Sequence, residues 1–147
     1  MKRNSAQKGL KPMKVWIDTN VILDVLCNRP EFAEASSDIW KQCEVHNIDG
    51  YVSSLSILNI VYIMRKELTR EKTGDIVRQL SMIFKVVDLK ADDLTKATAL
   101  SIADYEDAVQ SVGASRVKAQ YIVTRNIKDY TNSKVPAIKP SELLERL

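Results

Sequence analysis

Four aspartates stand where their chemistry could be used: Asp18, Asp104, Asp107 and Asp129. Asp18 closes the apolar run Val15-Trp16-Ile17 and opens Asp18-Thr19-Asn20, where a buried strand would give way to a helix. Asp104 and Asp107 are three residues apart at the expected start of a helix, so they share one of its faces. Asp129 follows the run Tyr121-Ile122-Val123, which exits through Thr124-Arg125-Asn126 much as the first run exits through Thr19-Asn20. Two carboxylates about 4 Å apart repel by roughly 4 kcal/mol at an effective dielectric of about 20. A cluster of them therefore needs a proton or a cation. Oxygen donors select Mg²⁺ or Mn²⁺, and Mg²⁺ takes only one or two carboxylates, leaving positions for water or substrate phosphates. Phosphodiester hydrolysis is the reaction such a centre favours.

Other chemistries find less support. With one histidine, His46, and two cysteines, Cys27 and Cys43, there is no set of soft ligands at zinc spacing and no second cysteine pair for a disulfide framework. His46 reads as a helix-end residue and both cysteines as reduced packing residues. The acids also have structural readings. Asp18 and Asn20 can cap the helix that follows them, and Asp104 is well placed as an N-cap with Asp107 near the third helical position. Asp24 reads as a solvated or supporting group on the first helix, and Glu106 points away from Asp107 by the helical period. Ser56 and Asn59 can both serve a helix start. Thr19 and Thr124 carry hydroxyls at strand ends, where they could bind phosphate or orient water.

These residues need elements to position them. Short apolar runs at Lys14–Ile17, Tyr51–Val52, Lys85–Val87 and Tyr121–Val123 read as strands, followed by Val135–Ile138. Strands of this kind imply burial on both faces. Phe32, Ala35, Ile39, Trp40 and Cys43 keep helical spacing, with Glu31 after Pro30 as the helix start, so one helix covers the first crossover. Two helices, punctuated at Thr73-Gly74, precede the third strand, and two more, separated near Ser101–Asp104, precede the fourth. Repeated βα units with right-handed crossovers predict a three-layer α/β/α sandwich on a central parallel sheet of four or five strands, Rossmann-like in plan. Function then belongs at the carboxyl edge of that sheet.

Composition sets the remaining bounds. A chain of 147 residues, 45% hydrophobic and 28% charged, can bury the core of one globular domain. The net charge of +3 comes from Lys2, Arg3, Lys8 and Lys11, which are accompanied by no acid. Removing those four from the 22 basic residues leaves 18 against 19 acidic, a net of −1, so global charge does not mark the protein as a nucleic-acid binder. Residues 1–12 read as a disordered tail or extended start, and 13–147 as a single domain. No stretch approaches the roughly 20 apolar residues that span a bilayer, and no signal segment opens the chain. A soluble, cytoplasmic protein with no membrane association is expected.

Val15 to Asp24, Asp104-Tyr105-Glu106-Asp107-Ala108, and Tyr121 to Asn126 with Asp129-Tyr130 together carry a resemblance. Their order and spacing, from about Met13 to Leu143, are similar to those of the PIN-domain family, most of all its bacterial VapC-like toxins. The resemblance implies a PIN-like fold and an endoribonuclease in which acidic residues bind Mg²⁺ or Mn²⁺ and activate water against an RNA phosphodiester. Asp18 then matches the first acid and Asp107 the third, with Asp104 or Asp129 completing the set. Asp18, Asp107 and Asp104 would hold the metal, while Asn20, Thr19, Asn59, Thr124 and Asn126 would support it. Two of these depart from the pattern, since the family usually has glutamate at Asn59 and often aspartate at Asn126. Arg125 and Lys128 are the nearest basic groups for RNA, with Arg29, Arg116 and Lys118 on adjoining segments. The resemblance further implies a homodimer and an antitoxin partner. Two other readings stay open: a PIN-fold RNA-binding or protein-interaction module with a weakened metal site, and a phosphoacceptor domain using Asp18, Asp88, Thr124 and Lys139.

Overall fold

The computed structural model of the protein describes residues 11–147, so most of the expected N-terminal tail lies outside the described residues. Five parallel strands form one sheet: β1 (Met13–Ile17), β2 (Ile48–Ser53), β3 (Lys85–Val87), β4 (Tyr121–Val123) and β5 (Ala137–Ile138). Their order is β3-β2-β1-β4-β5, so the chain moves outward from β1 to β3 and then returns to the other side of β1. The order therefore reverses between β1 and β4, which opens a crevice at their carboxyl ends.

Successive side chains of a strand point to opposite faces, and β1 shows this directly. Val15 and Ile17 join one core with Ile22, Ile39, Leu80 and Leu143, whereas Trp16 joins another with Ala114, Ile122 and Tyr130. The first face is covered by α1 (Thr19–Leu26), α2 (Ala33–Glu44), α4 (Arg70–Ile83) and α7 (Pro140–Glu145). The second is covered by α6 (Tyr105–Arg116), with α5 (Ala91–Ala97) packed against it. α3 (Ser54–Ile63) leaves β2 directly. The three-layer sandwich on a parallel sheet is the architecture that the apolar spacing predicts.

Several local expectations are corrected. The first crossover contains two helices, broken at Cys27–Phe32, where Asn28 takes a left-handed φ of 48° that asparagine tolerates. The helix pair after β2 breaks at Met64–Thr69, with Thr69 capping α4 through its hydroxyl, so Thr73-Gly74 lies inside α4 as a tolerated helical glycine. Ser53, not Ser56 or Asn59, caps α3 by accepting from the Leu55 amide at 3.0 Å. β2 begins three residues early, because parallel pairing to Met13–Val15 outweighs the poor strand propensity of Asp49 and Gly50. β3 is a sheet edge, so Lys85 and Val86 are exposed and two-faced burial fails there. Cys43 is buried as expected, but Cys27 is exposed at the end of α1.

Candidate active site

The reversal between β1 and β4 places Asp18 and Thr124 side by side, each one residue beyond its strand. The Asp18 amide donates to the Val123 carbonyl at 2.9 Å, extending the ladder by one bond and fixing where the carboxylate emerges. Asp18 is 8% exposed, yet both its oxygens are satisfied. Oδ1 accepts from the Thr19 amide at 2.7 Å as the N-cap of α1, and Oδ2 accepts from the Thr124 hydroxyl at 2.8 Å. Capping and site membership are therefore compatible roles for this residue. Asn20 braces the same corner, its amide nitrogen 3.5 Å from Asp18 Oδ2 and its oxygen accepting from the Arg125 amide at 3.4 Å. Thr124 is fully buried and its hydroxyl also accepts from the Asn126 amide, so its part is to orient Asp18 and the exit of β4.

A cleft of about 340 Å³ opens here and brings Asp18 together with Asn59, Glu106, Asp107, Asn126 and Asp129. Asp107 enters from the first turn of α6, whose N-cap is Asp104, with the Asp107 amide donating to Asp104 Oδ1 at 3.0 Å. Asp104 itself lines a neighbouring cleft with Lys128, on the far side of Asp107 and Asp129, rather than the cleft of Asp18. Asp129 sits on the short 3₁₀ turn Ile127–Tyr130 after β4 and borders both clefts.

The electrostatics follow from this crowding. Desolvation by burial pushes the Asp18 carboxyl upward, against hydrogen bonds from Thr124, Thr19 and Tyr130 that pull it down. Desolvation followed by the charges of Asp18, Asp104 and Asp129 pushes Asp107 up to about 7. Glu106 is raised by desolvation and then by Asp104 and Asp18, while its hydrogen bond from Asn59 opposes the shift.

Two residues enter the site that the sequence reading left out. Glu106 does not turn away: it lines the same cleft as Asp107 and accepts from the Asn59 amide across the gap between α6 and α3. Adjacent side chains stand about 100° apart on a helix, and at a helix end facing a cleft both directions can open into it. Tyr130 is buried, its hydroxyl donating to Asp107 Oδ1 at 3.3 Å and lowering Asp18 as well. Burial and these two carboxylates hold the phenol far above its ordinary value, so it stays a donor. The one sequence signal for it is an aromatic residue directly after a candidate acid.

The basic candidates fare differently. Arg125 donates to Asp24 Oδ2 at 2.8 Å and lies over the Phe32 ring at 4.2 Å. Asp24 is fully buried rather than solvated, and Arg29 and Ser36 also donate to it. Arg125 thus ties the exit of β4 to α1 and α2 and is not a free phosphate ligand. Arg116 is held by Asp93, Lys118 lies beyond the far end of α6, and only Lys128 is both exposed and next to the acids.

Among the described residues, no three His, Cys, Asp or Glu side chains converge closely enough to enclose a metal ion by themselves. The donor set still fits a hard cation. All candidate ligands are oxygens, Mg²⁺ takes only one or two carboxylates, and Glu106 and Asp107 are raised by burial first and then by neighbouring carboxylates whose charge a cation would offset. The phosphoacceptor arrangement fails on topology, because Asp88 follows the edge strand β3, two strands away from Asp18.

A family model described as PIN domain matches residues 14–128. A toxin–antitoxin complex from Klebsiella pneumoniae superimposes with a TM-score of 0.67 at 17% identity, covering 86% of this chain and 97% of that one. VapBC2 from Rickettsia felis, bound to a DNA fragment from its promoter, gives 0.67 at 16% identity, covering 86% and 98%. The sarcin-ricin loop cleaving toxin VapC20 of Mycobacterium tuberculosis gives 0.59 at 12%, covering 74% and 86%. These likenesses establish a shared fold. No curated protein matches the chain.

Proposed function

The chain belongs to the PIN-domain family, and from that premise we propose that it is a metal-dependent endoribonuclease, the toxin of a toxin–antitoxin pair. The observation that carries this reading is the meeting of Asp18 and Asp107 in one cleft at the strand-order reversal, each carboxyl held above its ordinary value. Asp18 and Asp107 would hold Mg²⁺ or Mn²⁺, with Asp104 and Asp129 supplying further negative charge and Glu106 standing across the cleft. When bound, the ion supplies an activated water and neutralises phosphate charge. Thr124, Thr19 and Asn20 orient the Asp18 carboxylate, and Tyr130 orients Asp107 with a proton it does not lose. Asn59 fixes Glu106, and in that way an amide could serve where the family usually has an acid. Asn126 borders the cleft beside Asp129, three residues on, which would supply the charge that Asn126 lacks. RNA is the proposed substrate, the toxin–antitoxin character of the structural neighbours supports a cognate antitoxin, and a homodimer is part of the same proposal.

Purified protein incubated with mixed structured and unstructured RNAs in Mg²⁺ or Mn²⁺ should yield products that EDTA abolishes and Asp107→Asn lacks. Products that persist in Asp107→Asn would remove the assigned site. The alternative, a weakened RNA-binding or protein-interaction module, is favoured if calorimetry detects no uptake of millimolar Mn²⁺ by the folded protein.

A further inference from the structure

Asp18 and Asp107 reach the cleft from different elements. Asp18 is the N-cap of α1, directly after β1, whereas Asp107 stands in the first turn of α6. The charge of Asp18 acts against that of Asp107, so without a cation the two carboxylates are pressed apart. Their spacing must therefore be held from behind, by whatever ties α6 to the end of β1.

A row of polar side chains makes that tie. Trp16 Nε1, two residues before Asp18, donates to Gln110 Oε1 at 2.6 Å, and Gln110 Nε2 donates to Ser56 Oγ at 2.9 Å. The Thr19 hydroxyl donates to the same serine oxygen at 2.7 Å, while the Thr19 amide donates to Asp18 Oδ1, also at 2.7 Å. Because Trp16 and Thr19 are joined through Ile17 and Asp18, the hydrogen bonds close a ring around the end of β1. The ring passes through α6, α3 and α1. Gln110 is within one helical turn of Asp107, so the residue that anchors α6 to this ring also sets where that carboxylate emerges.

Gln110 is 2% exposed and does not line the cleft. A buried amide offers packing no advantage over an apolar side chain, since it must replace the hydrogen bonds it gave up to water. What it adds is direction. The indole can only donate, so Oε1 has to face Trp16 and Nε2 has to face Ser56. Trp16 and Ser56 are buried as well, and no buried side-chain nitrogen or oxygen among the described residues lacks a partner. A buried network satisfied in this way specifies a single arrangement.

We propose that Gln110 is a positioning residue: through Trp16 on one side and Ser56 and Thr19 on the other, it fixes the separation at which Asp18 and Asp107 share a divalent cation. The inference rests on the metal-dependent reading of the cleft. Mg²⁺ demands near-ideal geometry, and a constellation of this kind has to be held to within about 0.5 Å by the residues behind it.

The test is calorimetry of Mn²⁺ uptake by the full chain, with RNA cleavage and melting measured alongside. Gln110→Met, Ser56→Ala and Thr19→Val each break the row at a different link and should each weaken Mn²⁺ binding about tenfold, as loss of a residue that orients ligands does. Thr19→Ser, which keeps the hydroxyl, should recover most of what Thr19→Val loses. Gln110 and Thr19 meet only through Ser56, yet Gln110→Met with Thr19→Val should weaken Mn²⁺ binding no further than the worse single change, because both break one row. In cleavage, kcat should fall while KM for RNA holds. Ser111, also on α6 and 2% exposed, bonds Ser133 instead, so Ser111→Ala should lower melting and leave Mn²⁺ affinity alone. If Gln110→Met fails to fold, the contrast between Thr19→Val and Thr19→Ser decides. If the row variants melt lower but bind Mn²⁺ and cleave like wild type, the row is packing only, the positioning role is overturned and the ribonuclease reading stands. If wild type binds Mn²⁺ without cleaving RNA and the row variants lose that binding, the positioning role stands and the nuclease does not. A wild type that takes up no Mn²⁺ overturns both.

Discussion

At Asp107, burial and three neighbouring carboxylates act in one direction, and the group is pushed up to about 7 from 3.8. The folded protein therefore keeps a proton over a range where the unfolded chain has released it. The stability this adds is complete below the unfolded value and is lost as pH rises through the folded one. For a half-exposed group screened by water, the loss between about pH 4 and 7.5 is on the order of 1 kcal/mol. Urea titrations across that range should show the metal-free protein weakening with pH, and Asp107→Asn should flatten the dependence and be the more stable at neutral pH. An unchanged slope in the variant would refute the assignment of strain to this carboxyl. Asp18 and Asp107 are legible in the sequence because each marks a change of element. Glu106 and Tyr130 are not, since helical phase describes one helix alone and says nothing of Asn59 approaching from α3 or of a phenol folded under the acids.

The elements matter here as levers that set these side chains. α6 lies close enough to β1 that a Cβ on Gly113 would stand 2.5 Å from Trp16 Cη2, and Trp16 Nε1 donates to Gln110 on the same helix at 2.6 Å. Gly113→Ala should destabilise the protein by about 1–3 kcal/mol by overpacking, despite alanine's better helix propensity. A gain in stability by chemical denaturation would show that the helix is free to shift. Gln110 continues through Ser56 to Thr19, so the same contact links α6, α3 and α1. On the other side of the sheet, Arg125 closes the exit of β4 onto buried Asp24. Arg125→Ala leaves Asp24 with Arg29 and Ser36 only and should cost about 1–3 kcal/mol in thermal or urea unfolding. A neutral result combined with weakened RNA binding would return Arg125 to the role of phosphate ligand. Helix existence was readable from apolar spacing, but boundaries were not, because Thr73-Gly74 is a break by composition and a helix interior by packing.

For the whole molecule, strand order is the decisive fact. The same βα units in the order β2-β1-β3-β4-β5 would have set Asp88 near Asp18 and favoured phosphoacceptor chemistry, as in other doubly wound sheets. The observed order instead brings β4 against β1, and with it Thr124, Asn126 and Asp129. No helix among the described residues is long and apolar enough to cross a membrane. Sedimentation equilibrium at micromolar protein should report a homodimer, and a monomer at every accessible concentration would remove that part of the proposal.

The sequence by itself determined that parallel strands alternate with helices and that Asp18, Asp107 and Asp129 fall at element ends, because apolar period and chain punctuation are local properties of side chains. Tertiary structure decided which of those ends meet, which acids share a cleft and which arginines are already paired. Those outcomes depend on contacts between residues about a hundred positions apart, such as Thr124 with Asp18 or Arg125 with Asp24, which no local period encodes.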